Sequence, residues 1–195
     1  MKAVEVVTLV IGIIGAASWL PWVYEYLQKP AVYGKLVAYA NGPDFTTGWN
    51  DVDGNSHSAA GAGYVLGLSI TCLRKDLPIN RCSVYVRYPG DPMRYSGVPR
   101  RVDGVVVPIA GRTQHLRIPF EQDLTQSSVL EEGKTCKRYV SLVVPGVPSG
   151  TNLNRAEFDI VFRDYGKLRR SIVVGAAAAD PTALAWDPAL LSDTP

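Results

Sequence analysis

"GYVLGLSITCLRKDLPINRCSVYVRYPG", Gly63 to Gly90, is the stretch on which the fold reading turns. Leu66, Leu68, Ile70 and Cys72 fall on one parity, and Gly67, Ser69 and Thr71 fall on the other. That two-residue period marks a strand with one face in a core. Cys82, Val84, Val86 and Tyr88 repeat it at once. Outward from this pair, the runs "AVYGKLVAYA" (Ala31 to Ala40), "GVVVPI" (Gly104 to Ile109), "QHLRI" (Gln114 to Ile118), "KRYVSLVV" (Lys137 to Val144), "AEFDIVF" (Ala156 to Phe162) and "KLRRSIVV" (Lys167 to Val174) have the same texture. Gly, Pro and Asn stand between them. The count is about eight strands, and their apolar faces predict an all-β, antiparallel β-sandwich.

The connections are read by their polar and breaker residues. "NGPDFTTGWNDVDGNSHSAAGAG" after the first strand is expected to be a long irregular loop. "FEQDLTQSSVLEEG" has room for a helical turn or two. "RDYG" joins the last two strands, with Gly166 expected in the left-handed conformation. The tail, residues 176–195, lacks an alternating stripe and is expected to be loosely ordered or laid over the surface.

The other deciding stretch is N-terminal. No Asp, Glu, Lys, Arg or His occurs between Glu5 and Glu25. At 1.5 Å per helical residue, that run crosses about 30 Å of hydrocarbon. Its aliphatic residues favour insertion by roughly 3 to 5 kcal/mol. A buried helix of a soluble protein would show a polar face, and this stretch has none. Residues 1–29 are therefore expected to form one transmembrane helix, followed by the β domain over 30–175. Trp19, Trp22, Tyr24 and Tyr26 gather at its end, where amphipathic rings rest at the headgroup boundary. Thr8, Gly12 and Ala16 recur every four residues, a small-residue stripe on which a second copy's helix can pack. A rival stays open, in which Val6 to Ile14 is the core of a signal peptide cleaved after Ala17. Against it stand a single Lys2 offset by Glu5, and an aromatic, apolar run that continues past the cut. Lys29 and Lys35 against Lys2 place the β domain on the cytoplasmic side, and three cysteines not spaced as a secreted disulfide framework lean the same way.

The net charge of +2 is too small to make nucleic acid the main partner. The basic pairs Arg100–Arg101, Lys137–Arg138 and Arg169–Arg170 read as solvated faces. "DVDGNSHSAAGA" opens like a calcium loop, with Asp51, Asp53 and Asn55 at alternate positions. It then has Ser56 where the bend needs Gly and Ala62 where a bidentate Glu belongs, so it reads as a polar loop. Cys72 and Cys82 sit on inward parities, as a disulfide or as two small apolar packers. His57 and His115 have no zinc-like neighbours, and nothing nominates a catalytic base. "GAGYVLG" runs into a strand, so it has no helix N-terminus to face a phosphate. No catalytic residue, cofactor or metal is assigned. The loop "YPGDPMRYSGVPRRVDG" is the candidate recognition surface, through Arg94, Tyr95, Arg100 and Arg101, residue types that dominate binding hot spots.

The run Gly63 to Gly90, with the late hairpin "EFDIVFRDYGKLRRSIVV", resembles the immunoglobulin-like domains that follow a short N-terminal membrane helix in many uncharacterised bacterial proteins. The resemblance covers about residues 63–174. It implies an immunoglobulin-like, non-enzymatic domain for assembly or partner recognition. The expected partners are the lipid bilayer, further copies of the chain and a protein. Two alternatives remain: a membrane effector whose β domain senses a small anionic ligand, and a secreted binding module.

Overall fold

In a computed structural model, the described residues are 19–24, 29–50, 56–100, 105–109, 112–166, 169–176 and 186–193. Thirteen strands form among them: β1 (Ala31–Asn50), β2 (Ser56–Leu73), β3 (Leu77–Ile79), β4 (Arg81–Arg87), β5 (Tyr95–Ser96), β6 (Val98–Arg100), β7 (Val105–Ile109), β8 (Arg112–Leu116), β9 (Ser128–Leu130), β10 (Thr135–Pro145), β11 (Glu157–Arg163), β12 (Arg169–Gly175) and β13 (Leu191–Asp193). Every strand ladder is antiparallel. The fold is mostly β with little helix.

Two four-stranded sheets, ordered β1-β2-β10-β6 and β12-β11-β4-β5, pack their apolar faces into one core. Tyr64, Leu66, Leu68 and Ile70 of β2 and Val140, Leu142 and Val144 of β10 enter it from one side. Val84 and Val86 of β4 and Phe158, Ile160 and Phe162 of β11 enter from the other. These are the parities that the period of two predicts. The short β3–β9 pair closes one end with Leu77, Ile79 and Leu130. Gly97, between β5 and β6, is where the chain passes from one sheet to the other. Its N–H bonds Val84 O at 2.9 Å, and a Cβ there would stand 2.5 Å from Leu142 Cδ1, so a larger residue at the crossing would displace the Leu142 side chain.

A third layer covers the outside of the first sheet. The β7–β8 hairpin receives β13 on its open edge. Leu116, Ile118 and Leu190 bury against Val65 of β2 and Tyr139 of β10. Trp186 stacks on Tyr139, with ring centroids 6.2 Å apart and planes 19° apart. The Tyr139 ring lies over Gly67, where a Cβ would meet Tyr139 Cε1 at 3.0 Å. Residues 186–193 of the tail are thus laid on the sheet.

Several local expectations need correction. The segment expected to be a long loop is instead a ribbon: β1 continues to Asn50 and pairs with β2 from Phe45↔Gly61 to Asn50↔Ser56, after an irregularity between Gly42 and Phe45. Its Gly, Ser and Ala content carries no alternating apolar stripe to announce a strand. Thirteen strands replace about eight, because β3, β5, β6, β9 and β13 have only two or three residues each and are too short to show a period. The helical turns expected after Phe120 amount to one 3-10 turn, Phe120–Gln122. Gly166 is not among the residues with positive φ; the Asp164 carboxylate accepts its N–H at 2.8 Å and holds the turn.

Residues 19–24 are helical. Thr8, Gly12, Ala16 and Tyr26 lie outside the described residues, whereas Trp19, Trp22 and Tyr24 are described and exposed. Among the described residues no helix is long and apolar enough to cross a membrane.

At one end of the core the Tyr64 and Tyr88 hydroxyls share a buried hydrogen bond of 2.6 Å. Tyr64 stands edge-on to Phe158, with centroids 5.1 Å apart, so the bond ties the two sheets through aromatic rings. Removing one hydroxyl strands the other in an apolar site. Tyr64→Phe and Tyr88→Phe are each expected to cost about 1–2 kcal/mol in chemical denaturation, and the double variant to cost no more than either single one.

Candidate functional site

The recognition loop is built on the ends of β4 and β5. Tyr88, just past β4, is buried, and Asp91 N–H bonds its carbonyl at 3.1 Å. Gly90, at φ 82°, makes the turn that L residues disfavour. Asp91 then holds the loop twice: Oδ1 accepts Met93 N–H at 2.8 Å, and Oδ2 accepts the Tyr95 hydroxyl at 2.7 Å. The hydrogen bond to that carboxylate raises the Tyr95 pKa, because ionisation would forfeit the bond and set two anions side by side. The Tyr95 ring meets Tyr88 edge-on, with centroids 5.6 Å apart.

Arg94 turns to the outer face of the second sheet. Register places Asp159 of β11 opposite Tyr85 of β4. Arg94 pairs with Asp159 Oδ2, and its guanidinium carbon stands 3.9 Å from the Tyr85 ring centroid. Asp159 Oδ1 is buried without a hydrogen-bond partner. Arg94 and Tyr95, two of the four expected hot-spot residues, are therefore anchored, and the loop exposes Pro92, Met93 at 60% exposure, Pro99 and Arg100. Arg101 lies outside the described residues, and Arg100 lies in β6, on the other sheet from Arg94.

The basic pairs do not converge. Lys137 reaches Asp187 of the tail at 3.8 Å. Arg138 is on the core-facing parity of β10, with Nε buried and unpartnered. Arg170 Nε donates to Pro30 O at 2.5 Å. Register brings together a different set: Arg163 of β11 stands opposite Arg81 of β4 on one side and Arg169 of β12 on the other. Sequence reading missed this row. Each arginine follows the outward parity of its strand, but strand pairing, which the sequence does not display, aligns them.

Asp51, Asp53 and Asn55 lie outside the described residues, while Ser56 and Ala62 are strand positions in β2. His57 pairs with Trp49 in the ribbon, and His115 with Val106 and Ser192. Among the described residues no group of three His, Cys, Asp or Glu side chains is placed to hold a metal ion. Cys72, Cys82 and Cys136 are free thiols, and burial raises the pKa of each. No protein-family model matches the chain, and no curated protein is significantly similar to it.

Two measurements follow from this chemistry. Arg94→Leu leaves the Asp159 carboxylate half-buried and unpaired, so it is expected to destabilise the chain by about 1–2 kcal/mol, with the loss largely recovered in Arg94→Leu/Asp159→Leu. Burial pushes Cys82 and Tyr39 up to about 12, from ordinary values of 9.0 and 10.0 in the unfolded chain. Above pH 9 the unfolded state binds fewer protons than the folded one, so stability is complete below pH 9 and falls as pH rises toward 12. Denaturation midpoints are expected to drop across that window, less steeply in Cys82→Ala.

Proposed function

We propose that the chain is a membrane-tethered, non-enzymatic, immunoglobulin-like β-sandwich that presents a recognition loop to a protein partner and self-associates through the stripe Thr8, Gly12 and Ala16. The strand orders support the finer fold reading. β1-β2-β10-β6 and β12-β11-β4-β5 follow the A-B-E-D and G-F-C-C′ orders of immunoglobulin-like sandwiches. The chain departs from antibody-type domains at the inter-sheet disulfide: Cys72 of β2 is a free thiol, and β11 carries no cysteine.

One observation carries the functional reading. Arg170 bonds Pro30 O, so the chain enters the sandwich at the end where β4 begins and β11 finishes. The loop from Tyr88 to Arg100 leaves from the opposite end of β4, seven residues and about 20 Å away. A tether before Lys29 therefore holds the loop away from the bilayer. The dispersal of the basic pairs favours a protein surface over a single anion pocket, and the bonds of Asp91 and Arg94 pre-organise that surface, which lowers the entropic cost of binding.

The test is cell fractionation of the full chain followed by crosslinking. The chain is expected to sediment with membranes through salt washes and to be released only by detergent; recovery in the soluble fraction ends the tether reading. In those membranes Gly12→Leu is expected to reduce the crosslinked homo-oligomer. A photoreactive residue at Met93 is expected to capture a partner that one at Tyr165, on the opposite end, does not.

A further inference from the structure

Arg81, Arg163 and Arg169 are directly in register across β4, β11 and β12, so neighbouring strand spacing sets the three within about 10 Å on the outer face of that sheet. All three are exposed. None forms an ion pair with a described residue. Like charges directly opposite one another destabilise a sheet, a cost that an anion bound across the row would offset. In the next row Ser83 and Ser171 flank Val161, which puts hydroxyl donors beside the guanidinium groups.

The place of the row names the anion. It lies at the end where β1 starts, beside Arg170 and its bond to Pro30. Lys29, Arg74 and Lys75 are exposed at the same end, next to the first and last residues of β1 and β2 that pair there, Ala31↔Leu73. Of the acidic groups at this end, Glu131 pairs with Lys134, Asp76 Oδ1 accepts Glu132 N–H at 2.6 Å, Asp164 Oδ1 accepts Gly166 N–H, and Glu132, bridged to Cys72, is exposed. We infer that this end of the sandwich docks on anionic lipid headgroups, with Arg81, Arg163 and Arg169 as the contact row. Guanidinium groups match phosphate and carboxylate oxygens in pairs, and a flat row suits a surface of many headgroups. The inference rests on the tether reading only in that the tether brings the row to the bilayer.

The experiment places a fluorescent amino acid at Tyr165, 74% exposed in the turn after Arg163. Energy transfer to headgroup-labelled lipid is measured for the full chain in vesicles of phosphatidylcholine with and without phosphatidylserine. Transfer is expected to rise with phosphatidylserine and to fall with salt. Arg81→Gln/Arg163→Gln/Arg169→Gln is expected to return it to the phosphatidylcholine value, removing roughly a hundredfold in headgroup partition, about fivefold for each charge. The corresponding triple Lys variant retains the dependence on phosphatidylserine, and because the Gln variant relieves repulsion, its denaturation midpoint should not fall. Equal transfer in both vesicles, or no change in the Gln variant, overturns the inference while flotation with both vesicles still upholds the tether. Flotation that requires phosphatidylserine and the arginines overturns the tether and upholds the row. Saturable binding of inorganic phosphate without vesicles, lost in the Gln variant, assigns the row to a soluble anion and overturns the lipid assignment.

Discussion

The ladder between β2 and β10 is the constraint from which the architecture follows. It runs from Thr71↔Thr135 to Gly61↔Pro145, and side chains are buried on both of its faces. Water is excluded from these backbone groups, so each must find its partner in the neighbouring strand, and a slip of one residue would turn Leu66, Leu68 and Ile70 out of the core. The inner face demands a second sheet, and Phe158, Ile160, Phe162, Val84 and Val86 supply it. The outer face, with Val65 and Tyr139, demands cover as well, and the β7–β8 hairpin with the tail strand β13 provides it. The third layer answers a central ladder that is apolar on both sides.

Much of this was legible in the residues. Strict alternation in Gly63 to Gly90 placed two strands and the correct inward parities, because half-buried strands write their period into the sequence. The third layer left a fainter mark: "YVSLVV" in β10 is apolar at consecutive positions, the pattern of a strand buried on both sides, but the run does not disclose what covers the second side. The ribbon beyond Gly42 left almost none, because Gly, Ser, Thr and Ala pair through their backbones with little apolar signature. Strands of two or three residues fall below any period.

The candidate site divides in the same way. Arg94, Tyr95 and Arg100 were singled out by residue type, which does not disclose that Asp159 and Tyr85 hold Arg94 or that Asp91 holds Tyr95. Those partners come from other strands. The arginine row is the reverse case: Arg81 and Arg163 carry no signal of their own, Arg169 stands only as half of a basic pair, and only the pairing of β11 with both neighbours makes the three one feature. On the proposed reading, the two ends of β4 divide the labour, one facing lipid through basic groups and the other facing a protein through an ordered loop.

The entry of the chain at Pro30 has a mechanical consequence. β1 begins there and lies antiparallel along β2 from Ala31↔Leu73 onward. A pull at Lys29 is directed along the strand, across its hydrogen bonds. The ladder is therefore loaded in shear, with its bonds sharing the force together, and resists far better than a strand peeled off one bond at a time. Force applied along β1 is thus met by the whole ladder at once.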